Sequence, residues 1–121
     1  MTSLSVTLPW PPVELSPNFR TRSTRWIAVK RKEYRASCAE AAWTRGVQPG
    51  RDLKLEKIVF HPPNRQSRDL DNLVARFKGG QDGLAEAMGV DDEQFNGVPR
   101  DIGEVVKGGA VVALLAEIPL D

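Results

Sequence analysis

Residues 110–118, AVVALLAEI, constrain the fold of this 121-residue chain more than any other stretch. Nearly every position is apolar, and the run is too short for a membrane span of roughly 20 residues. A strand with this composition has no face suited to water. It must lie inside a sheet, covered by a helix on one side and by a further layer, such as a second subunit, on the other. The preceding VVKGG predicts a hairpin partner whose turn contains Gly108-Gly109.

Two other strands alternate. In residues 3–10, SLSVTLPW, Leu4, Val6 and Leu8 share one face, and the prolines after Trp10 end the ladder. In residues 53–61, LKLEKIVFH, strict alternation puts Leu53, Leu55, Lys57 and Val59 on one face, with Lys57 as a misfit. A helix is predicted over 32–45, where Tyr34, Cys38, Ala41 and Ala42 recur at helical spacing and Gly46 follows as a stop. RWIAV before it reads as a short strand, and 11–25 as a polar, arginine-rich loop. A second helix is predicted over 71–88, with Leu70, Leu73, Phe77, Leu84 and Met88 in one narrow arc. Gly79-Gly80 predicts a bend or break there, at about 1 kcal/mol per glycine relative to alanine. GVDDEQFNG reads as a loop. These elements amount to one small α/β (α+β) domain over residues 1–121, a mixed sheet with two main helices.

The joint between strand and second helix carries the chemistry. In RQSRDLDNL, two arginines precede Asp69 and Asp71, spaced i, i+2. Extended backbone would put both carboxylates on one side, with Leu70 turned to the core. The bland reading is helix capping, and it is the commoner one. Asp91 and Asp92 follow the same helix and would join the first pair if the chain returns. Carboxylates so gathered repel unless a cation sits among them, and oxygen ligands suit Mg²⁺. Lys78 lies seven residues after Asp71 and four before Asp82, on a stripe apart from the apolar arc. It would neutralise charge on a phosphate, or merely pair with Asp82 on the surface.

Net charge is +1, but the halves differ. Residues 1–68 hold 13 Lys/Arg against 5 Asp/Glu, and residues 69–121 hold 4 against 11. A basic half suits a polyanion, and an acidic half suits a cation. Arg20, Arg22, Arg25, Arg65 and Arg68 are the candidate contacts to the backbone of such a polyanion. Trp10, Trp26 and Trp43 read as core anchors, with Trp10 and Trp26 placed to touch DNA. His61, the one histidine, ends a strand; a general base is one reading and a structural residue the commoner one, and it is given no role in the chemistry. The lone Cys38 has no disulfide partner and reads as a buried hydrophobe, and the N-terminus shows no export signal. Both fit a cytoplasmic protein without membrane attachment.

These residues resemble one family, the RusA-type Holliday junction resolvases, crossover junction endodeoxyribonucleases of bacteria and their phages. The likeness runs in order through VTLPWPP, YR in the first helix, HPPNRQSRDLDNL, DGL, DDEQF and KGG, over nearly the whole chain. It implies a small mixed α/β homodimer that nicks opposed strands of a four-way DNA junction in recombination and repair, with Mg²⁺ or Mn²⁺. It implies a metal site of Asp69, Asp71 and Asp92, with Asp91 assisting, and a catalytic lysine. Lys78 fills the lysine's place if about three residues are inserted after Asn72, and Arg76 is the competing candidate. An ungapped match puts Ala75 there. A DNA-binding accessory protein with a structural acidic cluster is the alternative.

Overall fold

The structure, a computed structural model, describes residues 3–20 and 23–118. Arg22, one of the expected backbone contacts, lies outside the described residues. The expected mixed sheet is present. Strand β1 (Ser3–Pro9) leads through a short 3₁₀ turn (Val13–Leu15) to helix α1 (Thr24–Thr44). Strand β2 (Leu53–His61) is followed by α2 (Leu70–Arg76), α3 (Lys78–Met88) and a 3₁₀ turn (Asp92–Phe95). Strands β3 (Arg100–Ile102) and β4 (Ala110–Glu117) complete the fold.

The sheet order is β1-β4-β2-β3, with β4 antiparallel to both β1 and β2, and β3 parallel to β2. The apolar β4 is therefore interior, as its composition demands. Its inner face, Val111, Ala113 and Leu115, is buried with Val6, Leu8, Leu55, Ile58 and Phe60 against α1 and α3. On the other face Leu114 stays 38% exposed.

The hairpin expected before β4 does not form. Both edges of β4 are taken, by β1 and β2, so the Val105-Val106 segment has no ladder to join and is exposed. The preceding residues 100–102 instead pair in parallel with Ile58–Phe60. Strict alternation in β2 also fails. The register with β4 shifts between Leu55 and Lys57, leaving Glu56 as an extra residue. Such a bulge switches the parity of the strand. Leu53 and Leu55 before it, and Ile58 and Phe60 after it, all reach the core. Lys57 is freed from the apolar face and pairs with Asp101 at 3.0 Å.

RWIAV is helix, not strand: α1 starts eight residues before the predicted 32. Ser23 caps it, its side chain accepting from the Trp26 N–H at 3.1 Å. The first turns bury no residue, so no apolar period marks them as helical. Trp26 and Trp43 are exposed by 40% and 49%, so neither anchors the core. Trp10 is half-buried and packs against it. Cys38 is buried, and burial pushes its thiol up to about 11, in keeping with an inert hydrophobe.

The second predicted helix is divided, and the division falls at Phe77 rather than at the glycines. The Phe77 ring packs edge-on to Phe60 of the sheet (centroids 5.5 Å apart) and to Tyr34 of α1 (6.4 Å). Gly79, Gly80 and Gly83 lie inside α3 and are buried against α1. A Cβ on Gly83 would stand 2.4 Å from the Arg35 carbonyl oxygen. The glycines bring two helices together instead of breaking one.

Candidate nuclease site

Asp69 is the N-cap of α2. Its backbone is extended (φ −89°, ψ 124°), and its Oδ1 accepts from the Asp71 N–H at 3.0 Å. Asp71 already belongs to the first helical turn, where exposed N–H groups favour negative charge. The capping reading is thus realised for Asp69, and it leaves the second oxygen of that carboxylate for other partners. Asp91 does the same work one loop later: its Oδ1 accepts from Glu93 N–H at 2.9 Å and caps the 3₁₀ turn that carries Asp92.

Lys78 opens α3 and reaches two carboxylates. Its Nζ donates to Asp82 at 3.1 Å and also pairs with Asp92, fourteen residues on. Hydrogen bonding to Asp92, then to Asp82, raises the Lys78 pKa above its usual value, and the Lys78 partner holds Asp92 below the usual carboxylate range. The i, i+4 contact was legible in the sequence. The Asp92 contact was not, because it depends on the path of the chain after Met88.

Arg76, the competing candidate for the lysine's place, points elsewhere. Its Nε donates to the Pro11 and Pro12 carbonyls at 2.9 and 3.1 Å, and its guanidinium lies over Trp10 at 5.7 Å. Burial, then the charge of Arg68, lowers its pKa. Among the described residues, Lys78 and not Arg76 stands beside the second acidic pair. Arg68 is also engaged. It donates to Asn64 and Gln66 of its own loop and lies over Trp10 at 5.8 Å. Arg20, Arg25 and Arg65 are exposed. His61 donates Nδ1–H to the Glu104 carbonyl at 2.9 Å.

The donor set is all oxygen and fits a hard divalent cation in its chemistry. In placement, no three carboxylate, imidazole or thiolate side chains of the described residues are gathered around one point. Asp69 and Asp71 share one helix start, and Asp92 shares Lys78 with Asp82.

No known family model matches the chain. An uncharacterized protein of Xylella fastidiosa (strain Temecula1 / ATCC 700964) is 41% identical over 118 residues, covering 94% of this chain and 76% of its own length. The chain belongs to the family of this Xylella protein. It is also similar to crossover junction endodeoxyribonuclease RusA of Escherichia coli (strain K12), 29% identical over 120 residues and 98% of both chains. RusA of Shigella sonnei (strain Ss046) matches to the same extent. The likeness to RusA therefore spans the sheet, both helix starts and the acidic loop, not one motif. No helix of the described residues is long and apolar enough to cross a membrane.

Sequence reasoning missed two groups at this site. Arg100 donates to Gln81 Oε1 at 2.8 Å and to the Val98 carbonyl at 2.8 Å, tying α3 to the segment after Asp92. Trp10 with Arg76 forms the other. Neither leaves a local signature, since each joins residues far apart in sequence.

Proposed function

We propose that the chain is a Mg²⁺-dependent, structure-selective endodeoxyribonuclease that resolves four-way DNA junctions by paired nicks, with Mn²⁺ as an alternative ion. The reading rests above all on one observation, the reach of Lys78 to Asp92 across fourteen residues. That contact puts a cation-bearing helix start beside the acidic loop. The end-to-end likeness to RusA supports it.

In this reading Asp69, Asp71 and Asp92 would hold the ion, which when bound would supply an activated water and charge neutralisation at the scissile phosphate. Asp91 keeps the turn under Asp92 in place through its cap. Lys78 offers an ammonium to charge developing on the phosphate. A homodimer would set two such sites against the two-fold symmetry of a junction, in the cytoplasm of a bacterial cell.

Single-turnover cleavage of a synthetic four-way junction, with Mg²⁺ or with EDTA, tests the proposal. Paired nicks are expected with Mg²⁺ alone. Lys78→Ala is expected to slow them at least tenfold, about 1.4 kcal/mol of barrier, with little change in junction affinity. Arg76→Ala should affect the chemical step less. A large rate defect in Arg76→Ala beside a near-normal Lys78→Ala would reverse the two roles. Junction binding without cleavage under both conditions would favour the accessory-protein reading.

The exposed arginines give a second expectation. Neutralising Arg20, Arg25 or Arg65 should weaken junction binding and lower the slope of log K against log salt by about one unit each. Arg68→Gln should lose affinity for a further reason, because its guanidinium also holds the 64–66 loop. Slopes unchanged in all the variants would place the DNA on another face.

A further inference from the structure

A cavity of about 680 Å³ opens between the segment after β1 and the start of α2, lined among others by Trp10, Arg68, Asp69, Asn72, Leu73 and Arg76. It lies outside the Lys78–Asp92 cluster, and the reaction proposed above makes no use of most of its wall. We propose that this cavity receives one unstacked nucleobase of the branched DNA, next to the phosphate at which Asp69 acts. The proposal rests on the junction-nuclease reading and adds a recognition site to it.

The wall suits a planar base. Arg68 spends its Nη donors on Asn64 and Gln66, and Arg76 turns its Nε to two proline carbonyls, which holds both guanidiniums in place beside Trp10. What both arginines give the indole of Trp10 is a stacking contact, at 5.8 and 5.7 Å from the ring centroid. The remaining apolar surface is prolines, Val13 and Leu73. Planar π-systems beside guanidinium planes bind bases with little dependence on which base it is.

Discrimination would come from the amides. Ser16 Oγ donates to Asn72 Oδ1 at 3.3 Å, and Asn72 lines the cavity with its two N–H donors not used in that bond. Gln66 stands at the rim. The amide side chains of Asn and Gln pair with base edges. The volume lies within the roughly 300–1,000 Å³ of ligand-binding cavities.

The loop is built to hold this wall still. Tyr34 Oη donates to the Pro9 carbonyl at 2.6 Å where β1 ends, and Gly109 packs onto the Trp10 ring with no room for a Cβ. Unstacking a base costs less where continuous stacking is already broken. The crossover of a four-way junction is such a place, whereas a continuous duplex is not. Capture of a base would thus favour branched DNA and position one strand in the same event.

Photo-cross-linking locates the base. Four-way junctions carrying 5-iododeoxyuridine at single positions around the crossover are bound in EDTA, irradiated, and the attached peptide is mapped. The expected result is a cross-link to Trp10 from one position beside the cleavage site. With the unaltered protein, an abasic residue at that position should weaken binding about tenfold, the scale of one base–aromatic stack. Trp10→Leu should lose the cross-link and the abasic effect together. Cross-links confined to Trp26 or to other segments, or an abasic junction bound as tightly as the intact one, would overturn the proposal. Junctions cleaved with no Trp10 cross-link would overturn this inference and spare the nuclease reading. Failure to bind branched DNA at all would overturn both.

Discussion

Asp92→Asn is expected to abolish junction cleavage, by at least roughly a thousandfold or about 4 kcal/mol of barrier, while junction binding stays intact or tightens. The substitution keeps the shape of the side chain and removes its charge. It takes away one of the proposed ion ligands and the longer-range partner of Lys78, while Asp82 still holds that lysine. Binding should not weaken, because a negative charge beside the phosphates has gone. Asp69→Asn and Asp71→Asn should behave alike. For Asp69 the comparison is clean, since asparagine caps a helix as well as aspartate does. The cap on α2 survives, and thermal stability should stay close to that of the parent. A loss of cleavage at unchanged stability then reports the charge alone. Asp91→Asn is the matched control, because it too preserves a cap, that of the 3₁₀ turn. Normal cleavage by Asp92→Asn beside an inactive Asp91→Asn would exchange their roles.

The second large effect is on stability. Gly83→Ala should destabilise the fold by about 2–3 kcal/mol, although helix propensity alone favours alanine by about 1 kcal/mol. The new Cβ would stand 2.4 Å from the Arg35 carbonyl oxygen and 3.2 Å from the Ala39 nitrogen, both backbone atoms of α1. Neither can swing aside, so α3 must retreat from α1. That retreat loosens a seam holding Tyr34, Cys38 and Leu84, all buried. Denaturant unfolding should show a lower midpoint with an unchanged slope. A stabilised Gly83→Ala would mean that the two helices do not approach this closely. Gly50→Ala makes a useful contrast, since nothing lies within 4 Å of its would-be Cβ and only its positive φ of 90° resists the change.

The features legible in the sequence are those whose causes are local. The bounds of β2 follow from its own apolar run, and β4 announces itself as interior by lacking a polar face. A cap at the joint and the Lys78–Asp82 pair depend on residues within one helical turn, so spacing alone predicts them, though the cap falls on Asp69 and the helix starts at Leu70 rather than at Asp71. The structure decided what depends on a distant neighbour. The first turns of α1 carry no apolar period because they face solvent, and their helical state rests on the Ser23 cap and on continuity with the buried turns beyond. Residues 100–102 became a parallel strand because the edge of β2 was open to them, while both edges of β4 were filled. The bulge at Glu56 is visible only against its partner strand. Propensity penalises the α3 glycines, but the approach of α1 turns that cost into tight packing. The site divides in the same way. Asp69 and Asp71 are joined by chain adjacency, whereas Lys78 meets Asp92, and Arg76 meets Trp10, only once the fold has brought separate segments together.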